Sequence, residues 1–175
     1  MTDKWGANET PTLLNHFKLS MDNESRAAAL YVKFEEMFKA NEEAADFWDS
    51  LKRDELYHLK ILKEIFKSLS DEILKQPAEM TTYEDAVKAK INLDKAKLEN
   101  IKNLDHAFEQ AHDLEFSEMN TVFIYLVSKY HYSEEKQDQI IEEIDSHRIK
   151  LMDFGAEDRT RSWRQGILAD KENIL

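Results

Sequence analysis

The sequence predicts an all-α protein, and three observations carry that prediction. Only three glycines and two prolines punctuate 175 residues, which leaves few of the turns a sheet needs. Alanine, leucine, glutamate and lysine, all strong helix formers, dominate the composition. Apolar residues recur at three- and four-residue intervals over most of the chain, the period of an amphipathic helix. With 42% hydrophobic residues the chain can fill one core, so residues 1–155 read as a single helical domain and 156–175 as a C-terminal tail with room for a short helix.

The elements follow in order. Thr10 and Pro11 suit the start of a first helix whose face carries Phe17, Met21, Glu24, Ala28, Tyr31 and Phe38. Asn41, followed by acidic residues, suits the N-cap of a second helix running to about Leu69. The connection is so short that the two must be antiparallel neighbours. The stretch "SLSDEILKQPAEMTT" breaks the periodicity and reads as a crossover, with Thr82 and Asp85 resembling a capping box for a polar helix from Tyr83 to Asn103. One long helix is then expected from Leu104 to Tyr130, and a last one from Ser133 to Phe154, stopped by Gly155. The layout is two antiparallel helix pairs joined by a long crossover, a four-helix bundle.

A net charge of −12 disfavours nucleic acid and anionic membrane surfaces. The chain has no cysteine, so thiolate chemistry and disulfides are excluded, and any metal must be held by oxygen and nitrogen. The opening "MTDKWGANETPTLL" lacks the apolar core of a signal peptide, and no later run approaches a membrane span, so a cytoplasmic chain is the expectation.

Polar residues interrupt the apolar seams. The second helix reads Phe47, Leu51, Glu55, His58, Leu62, Ile65 and Leu69 down one face, and Glu24 lies in the stripe of the first. Glu24 and Glu55 stand at similar distances from the turn at Asn41, so a hairpin brings them to one depth with His58. An isolated buried carboxylate is costly unless a positive partner compensates it, and a divalent cation does so. Carboxylate oxygens with an imidazole nitrogen suit iron, manganese or zinc, and the i, i+3 spacing presents Glu55 and His58 in one direction. The third helix repeats the theme with Glu115 and, one turn on, Glu118; His147 lies among Ile140, Ile144, Leu151 and Phe154 on the fourth. His16, His106, His112 and His131 are set aside as core or surface residues.

This pattern resembles the ferritin-like superfamily of di-iron carboxylate proteins, and within it the rubrerythrin-like branch. "ESRAAALY" matches the first-helix pattern with Glu24 and Tyr31, "DELYH" supplies the first E-x-x-H with Glu55 and His58, and "EFSE" offers Glu115 and Glu118 as paired carboxylates. The resemblance implies a ligand set of Glu24, Glu55, His58, Glu115, Glu118 and His147 around two iron ions, with Tyr31 reaching a ligand carboxylate through its hydroxyl. The sequence departs from the pattern in "QIIEEIDSHRIKL", where Ile144 stands three residues before His147 in place of a bridging glutamate. Glu143 is the remaining acidic candidate, about 40° off that face.

The function implied is iron oxidation, or reduction of dioxygen or peroxide with an external electron donor. The alternative is a non-catalytic helical scaffold of the same fold with a mononuclear or empty site, which Ile144 favours. Leu30, Val32, Phe34 and Phe66, read as lying on the outer faces of the first two helices, point to a homodimer.

Overall fold

The structure, a computed structural model, describes residues 10–96, 98–130, 133–135, 137–144 and 149–154, apart from the side chain of Glu118. The described residues are helical, as the composition led us to expect, with no strand among them beyond an isolated bridge between Thr12 and Pro77. Six α-helices are complete: α1 Leu13–Met37, α2 Glu42–Ser68, α3 Asp71–Leu74, α4 Met80–Lys95, α5 Leu104–Glu115 and α6 Glu118–Tyr130. Residues 137–144 and 149–154 are helical as well. No described helix is long and apolar enough to cross a membrane.

Local chemistry sets the ends. The cap of α1 is Thr12 and not Thr10: the Thr12 side chain accepts from the Asn15 N–H while the Asn15 side chain accepts from the Thr12 N–H, which satisfies two end groups reciprocally. Backbone bonds from Leu13 N to Gln76 O and from Ala78 N to Pro11 O, both 2.8 Å, stitch this end to the segment entering α4. Asn41 caps α2 through the Ala44 N–H at 3.2 Å. Glu42 and Glu43 then lie at the positive end of the helix and Lys67 at the negative end.

Two of the expected helices differ from the sequence reading. Helix α4 begins at Met80, because the Glu79 carboxylate accepts from the N–H groups of Thr81 and Thr82 and so caps it ahead of Thr82; it ends at Lys95. The long helix expected over 104–130 is broken at Phe116 and Ser117. Ser117 Oγ donates back to Leu114 O at 2.6 Å and accepts from the Met119 N–H at 3.2 Å, closing α5 and opening α6.

Helix α1 packs along α2, α4 along α6, and contacts between α1 and α4 and between α2 and α6 join the pairs. The apolar core falls into two clusters. One gathers Ala27, Tyr31, Phe34, Trp48, Leu51, Phe108 and Leu114, with Trp48 between Tyr31, Phe34, Phe47 and Phe108. The other gathers Leu13, Phe17, Leu62, Ile65, Phe123, Leu126 and Ile144. Leu30 and Phe34, taken from the sequence as outward-facing, are buried in the first cluster, and Phe66 is half-buried; only Val32 of that set is exposed. The apolar surface from which a homodimer was inferred is therefore largely spent on the chain's own core. The tail 156–175 and Gly155 lie outside the described residues.

Candidate metal centre

Along α1 the first cluster begins at Ala27 and the second ends at Phe17; along α2 they are bounded by Leu51 and Ile61. Glu24, Glu55 and His58 occupy the gap between them. The three are 1%, 0% and 2% exposed. Antiparallel packing through the short 38–41 connection carries Glu24 opposite the Glu55 and His58 turn, and each residue presents one ligating atom within 4.8 Å of the others.

The distances suit a shared cation better than direct bonding. His58 Nδ1 lies 3.5 Å from Glu24 Oε2 and 3.6 Å from Glu55 Oε2, beyond good hydrogen-bond length. Donors bound to one ion at about 2.1 Å, with tetrahedral or octahedral angles, stand about 3.0–3.4 Å apart, close to what is observed. Both carboxylate oxygens of Glu55 and Oε2 of Glu24 make no hydrogen bond. Two ionised carboxylates no more than 4.8 Å apart repel by at least about 3.5 kcal/mol even at an effective dielectric of about 20. The donor set therefore fits a divalent cation.

Burial, and then the Glu24 carboxylate, push the Glu55 pKa up to about 7. Burial opposes charge on the His58 imidazole, but Glu24 and Glu55 outweigh it and hold its pKa well above the ordinary histidine value. Both shifts are upward, so the folded chain binds more protons than the unfolded one and loses stability as pH rises. For Glu55 the favourable contribution is complete below its ordinary 4.5 and is lost as pH climbs through about 7; that of His58 is lost at higher pH. The wild-type chain without cation should fall relative to Glu55→Gln by an amount on the order of 3 kcal/mol between those limits. Urea midpoints of the two proteins across pH read this difference, and parallel profiles would contradict it. Cation affinity should move the opposite way, rising with pH as the ligands shed protons.

Glu115, at the end of α5, is fully buried. Its Oε1 accepts from the Tyr31 hydroxyl at 2.5 Å, and its Oε2 and backbone oxygen accept from Asn120 Nδ2 at 3.2 and 2.8 Å. Burial, then Glu115, Glu55 and Glu24, raise the Tyr31 pKa well above that of a free phenol, so the hydroxyl keeps its proton and acts as a donor at neutral pH. Tyr31 thus lies within electrostatic reach of all three acids. Tyr31→Phe should cost about 1–3 kcal/mol in denaturant unfolding, because Glu115 loses a buried donor. An unchanged midpoint would show that this bond contributes nothing.

The other candidates are placed as follows. Glu118 is the first residue of α6, and its side chain lies outside the described residues, as does the whole of His147. Ile144 is fully buried and packs in the apolar cluster with Leu62 and Phe123. Glu143 is exposed, on a cleft of about 240 Å³ that it lines with Asp54, Tyr57, His58 and Lys150. This cleft reaches His58, whose ring also packs against that of Phe123 with centroids 4.4 Å apart. His112 is exposed and stacks on Phe116, His106 accepts weakly from the Lys102 N–H, His131 lies outside the described residues, and His16 is buried away from the cluster.

Sequence reasoning passed over Asn120. The available signal was Ser117 followed by Glu118, a helix-start pattern inside the supposed long helix; reading a break there puts Asn120 in the first turn of a new helix, beside the end of α5. Comparison with family models, with curated proteins and with solved structures finds no match to this chain.

Proposed function

We propose that the chain is a metal-binding protein of the ferritin-like four-helix-bundle type, with Glu24, Glu55 and His58 as ligands. Iron is the first candidate, manganese or zinc the alternatives, and the activity is iron oxidation or the reduction of dioxygen or peroxide. The observation that carries the metal reading is the convergence of two carboxylates and an imidazole from α1 and α2, within 4.8 Å and buried between two apolar clusters. A chain that needed only a helical core would gain stability from apolar residues there. The redox part rests on the resemblance of "ESRAAALY", "DELYH" and "EFSE" to rubrerythrin-like sequences.

A bound iron would supply Lewis acidity and one-electron chemistry. The chain's own part is legible residue by residue. Glu24 and Glu55 offer charge and oxygen donors, and His58 offers a nitrogen oriented by its place one turn after Glu55. Phe123 keeps water from one side of His58, and the cleft beside Glu143 leaves a way in. Tyr31 and Asn120 hold Glu115 in a fixed pose, and the resemblance would make it, with Glu118 and His147, a ligand to a second cation.

A second reading, a scaffold with one cation or none, is favoured by Ile144, which fills with hydrocarbon the position where the resemblance calls for a bridging glutamate. Metal analysis of chain purified from iron-replete, anaerobic growth separates the readings. About two ions per chain support the di-iron centre, and about one or none the scaffold, by the coordination demands of such sites. Peroxide consumption by the iron-loaded chain, absent in His58→Ala, supports the redox part; equal rates in both proteins would sink it.

A further inference from the structure

Helix α1 carries a second buried polar face. His16, Ser20 and Asn23 follow one another at four- and three-residue spacing and so share one side of the helix. That side turns to α4 and α6: the His16 ring stands edge-on to Tyr83 at 5.8 Å and stacks on Tyr125 at 6.1 Å, and Asn23 Nδ2 donates to Ala86 O at 2.9 Å. The three residues are 0%, 3% and 1% exposed. Neither nitrogen of His16, nor Ser20 Oγ, nor Asn23 Oδ1 makes a hydrogen bond of ordinary length.

A buried polar atom left unpaired forfeits the hydrogen bond that it makes with water in the unfolded chain, and several on one face together weigh heavily against the small net stability of a domain. Something that both donates and accepts must therefore pair with them. A cation would find one imidazole and, near the outer end, only the exposed Glu79 carboxylate, which would in turn repel an anion. Water fits every group: a hydroxyl and a neutral imidazole each donate and accept, and an amide oxygen accepts. Burial lowers the His16 pKa to about 4, against the opposing effects of Glu79 and the Thr82 backbone, so the ring is neutral at physiological pH and offers one N–H and one lone pair. Seven residues of helix span about 10 Å, a distance that about three waters at hydrogen-bond spacing would bridge. That is an ordinary share of the roughly one buried water per 27 residues found in globular proteins.

We propose that the His16, Ser20 and Asn23 face binds a file of ordered water molecules, and that this file carries water between the surface at the start of α4 and the turn of α1 that presents Glu24. The outer end lies by Thr82 and the exposed Glu79, and the inner end at Asn23 is the residue before Glu24. The binding of water stands on this geometry alone, whereas the carrying role rests on the metal reading above.

Oxygen-17 relaxation dispersion of the full chain without cation counts long-lived internal waters. The expected result is a loss of about two of them in Ser20→Val, whose added methyls block the file, together with a lower urea midpoint for His16→Leu, which strands the remaining water. An unchanged water count, with a higher midpoint for His16→Leu, would mean a dry seam and overturn the proposal. With manganese(II) bound, water-proton relaxivity per bound ion should fall in Ser20→Val if the file feeds the site; an equal relaxivity overturns the carrying role. Failure of the wild type to bind manganese removes the metal reading and the carrying role with it, while the water count still decides whether the file exists.

Discussion

Adding iron(II) under anaerobic conditions, or zinc(II), to the cation-free chain is expected to raise its thermal midpoint by about 5–11 °C at a hundredfold excess over the dissociation constant. A ligand at that excess contributes about 2.7 kcal/mol, and a chain of this size shifts by about 2–4 °C per kcal/mol. The response should vanish in Glu24→Gln, Glu55→Gln and His58→Ala. The direction of the baseline separates this result from ordinary core damage. Without cation, Glu55→Gln should be as stable as the wild type or more so at neutral pH, since it removes a buried acid whose ionised form is opposed by burial and by Glu24. The same replacement should be the less stable protein once cation is added, and that crossing is the signature. A chain whose midpoint ignores every divalent cation tested, with Glu55→Gln strongly destabilised, would mean that the three side chains form a structural polar cluster.

Ile144→Glu should lower the stability of the cation-free chain by about 3–5 kcal/mol, the cost of an uncompensated buried charge. Ile144 is fully buried against the apolar cluster that includes Leu62 and Phe123, so a carboxylate there would lie out of water against hydrocarbon unless a cation arrives. If the position faces the candidate centre, added iron or zinc should recover part of the loss and raise the bound metal toward about two per chain. Unfolding in urea with and without cation, together with metal analysis, reads both effects. A mild loss that cation leaves unchanged would place residue 144 in a plain apolar contact away from the centre, and would remove the reason for treating it as a lost ligand.

Much of the helical framework was legible before the structure because its signals are local. Asn41 with Glu42 and Glu43 marks a helix start by chemistry confined to one turn, and the four-three spacing of Phe47, Leu51, Leu62 and Ile65 reports a face whatever packs on it. The start of α4 and the break at Ser117 were not legible on the same terms. Glu79 is a less usual cap than Thr82, and the apolar spacing from Leu104 to Leu126 continues across the Phe116 turn, so periodicity alone joins α5 to α6. Leu30 and Phe34 were misplaced because a helix with more than one packed neighbour buries more than one stripe, and a single sequence does not state how many neighbours a helix has.

The chain's own composition and periodicity determined that it is helical, that α1 and α2 form a hairpin, and that acids and an imidazole sit on faces otherwise made of hydrocarbon. Those are properties of spacing along one rod. Spacing along the hairpin also set Glu24 level with Glu55 and His58, as the structure has them. Tertiary packing alone decided that the carboxylate Tyr31 reaches is Glu115, that Asn120 joins it there, and that His16, Ser20 and Asn23 meet none of these groups. The physical reason is that burial, separation and the pairing of charge depend on distances between rods, which are set by the side chains that fill the space between them and not by the order of residues along any one.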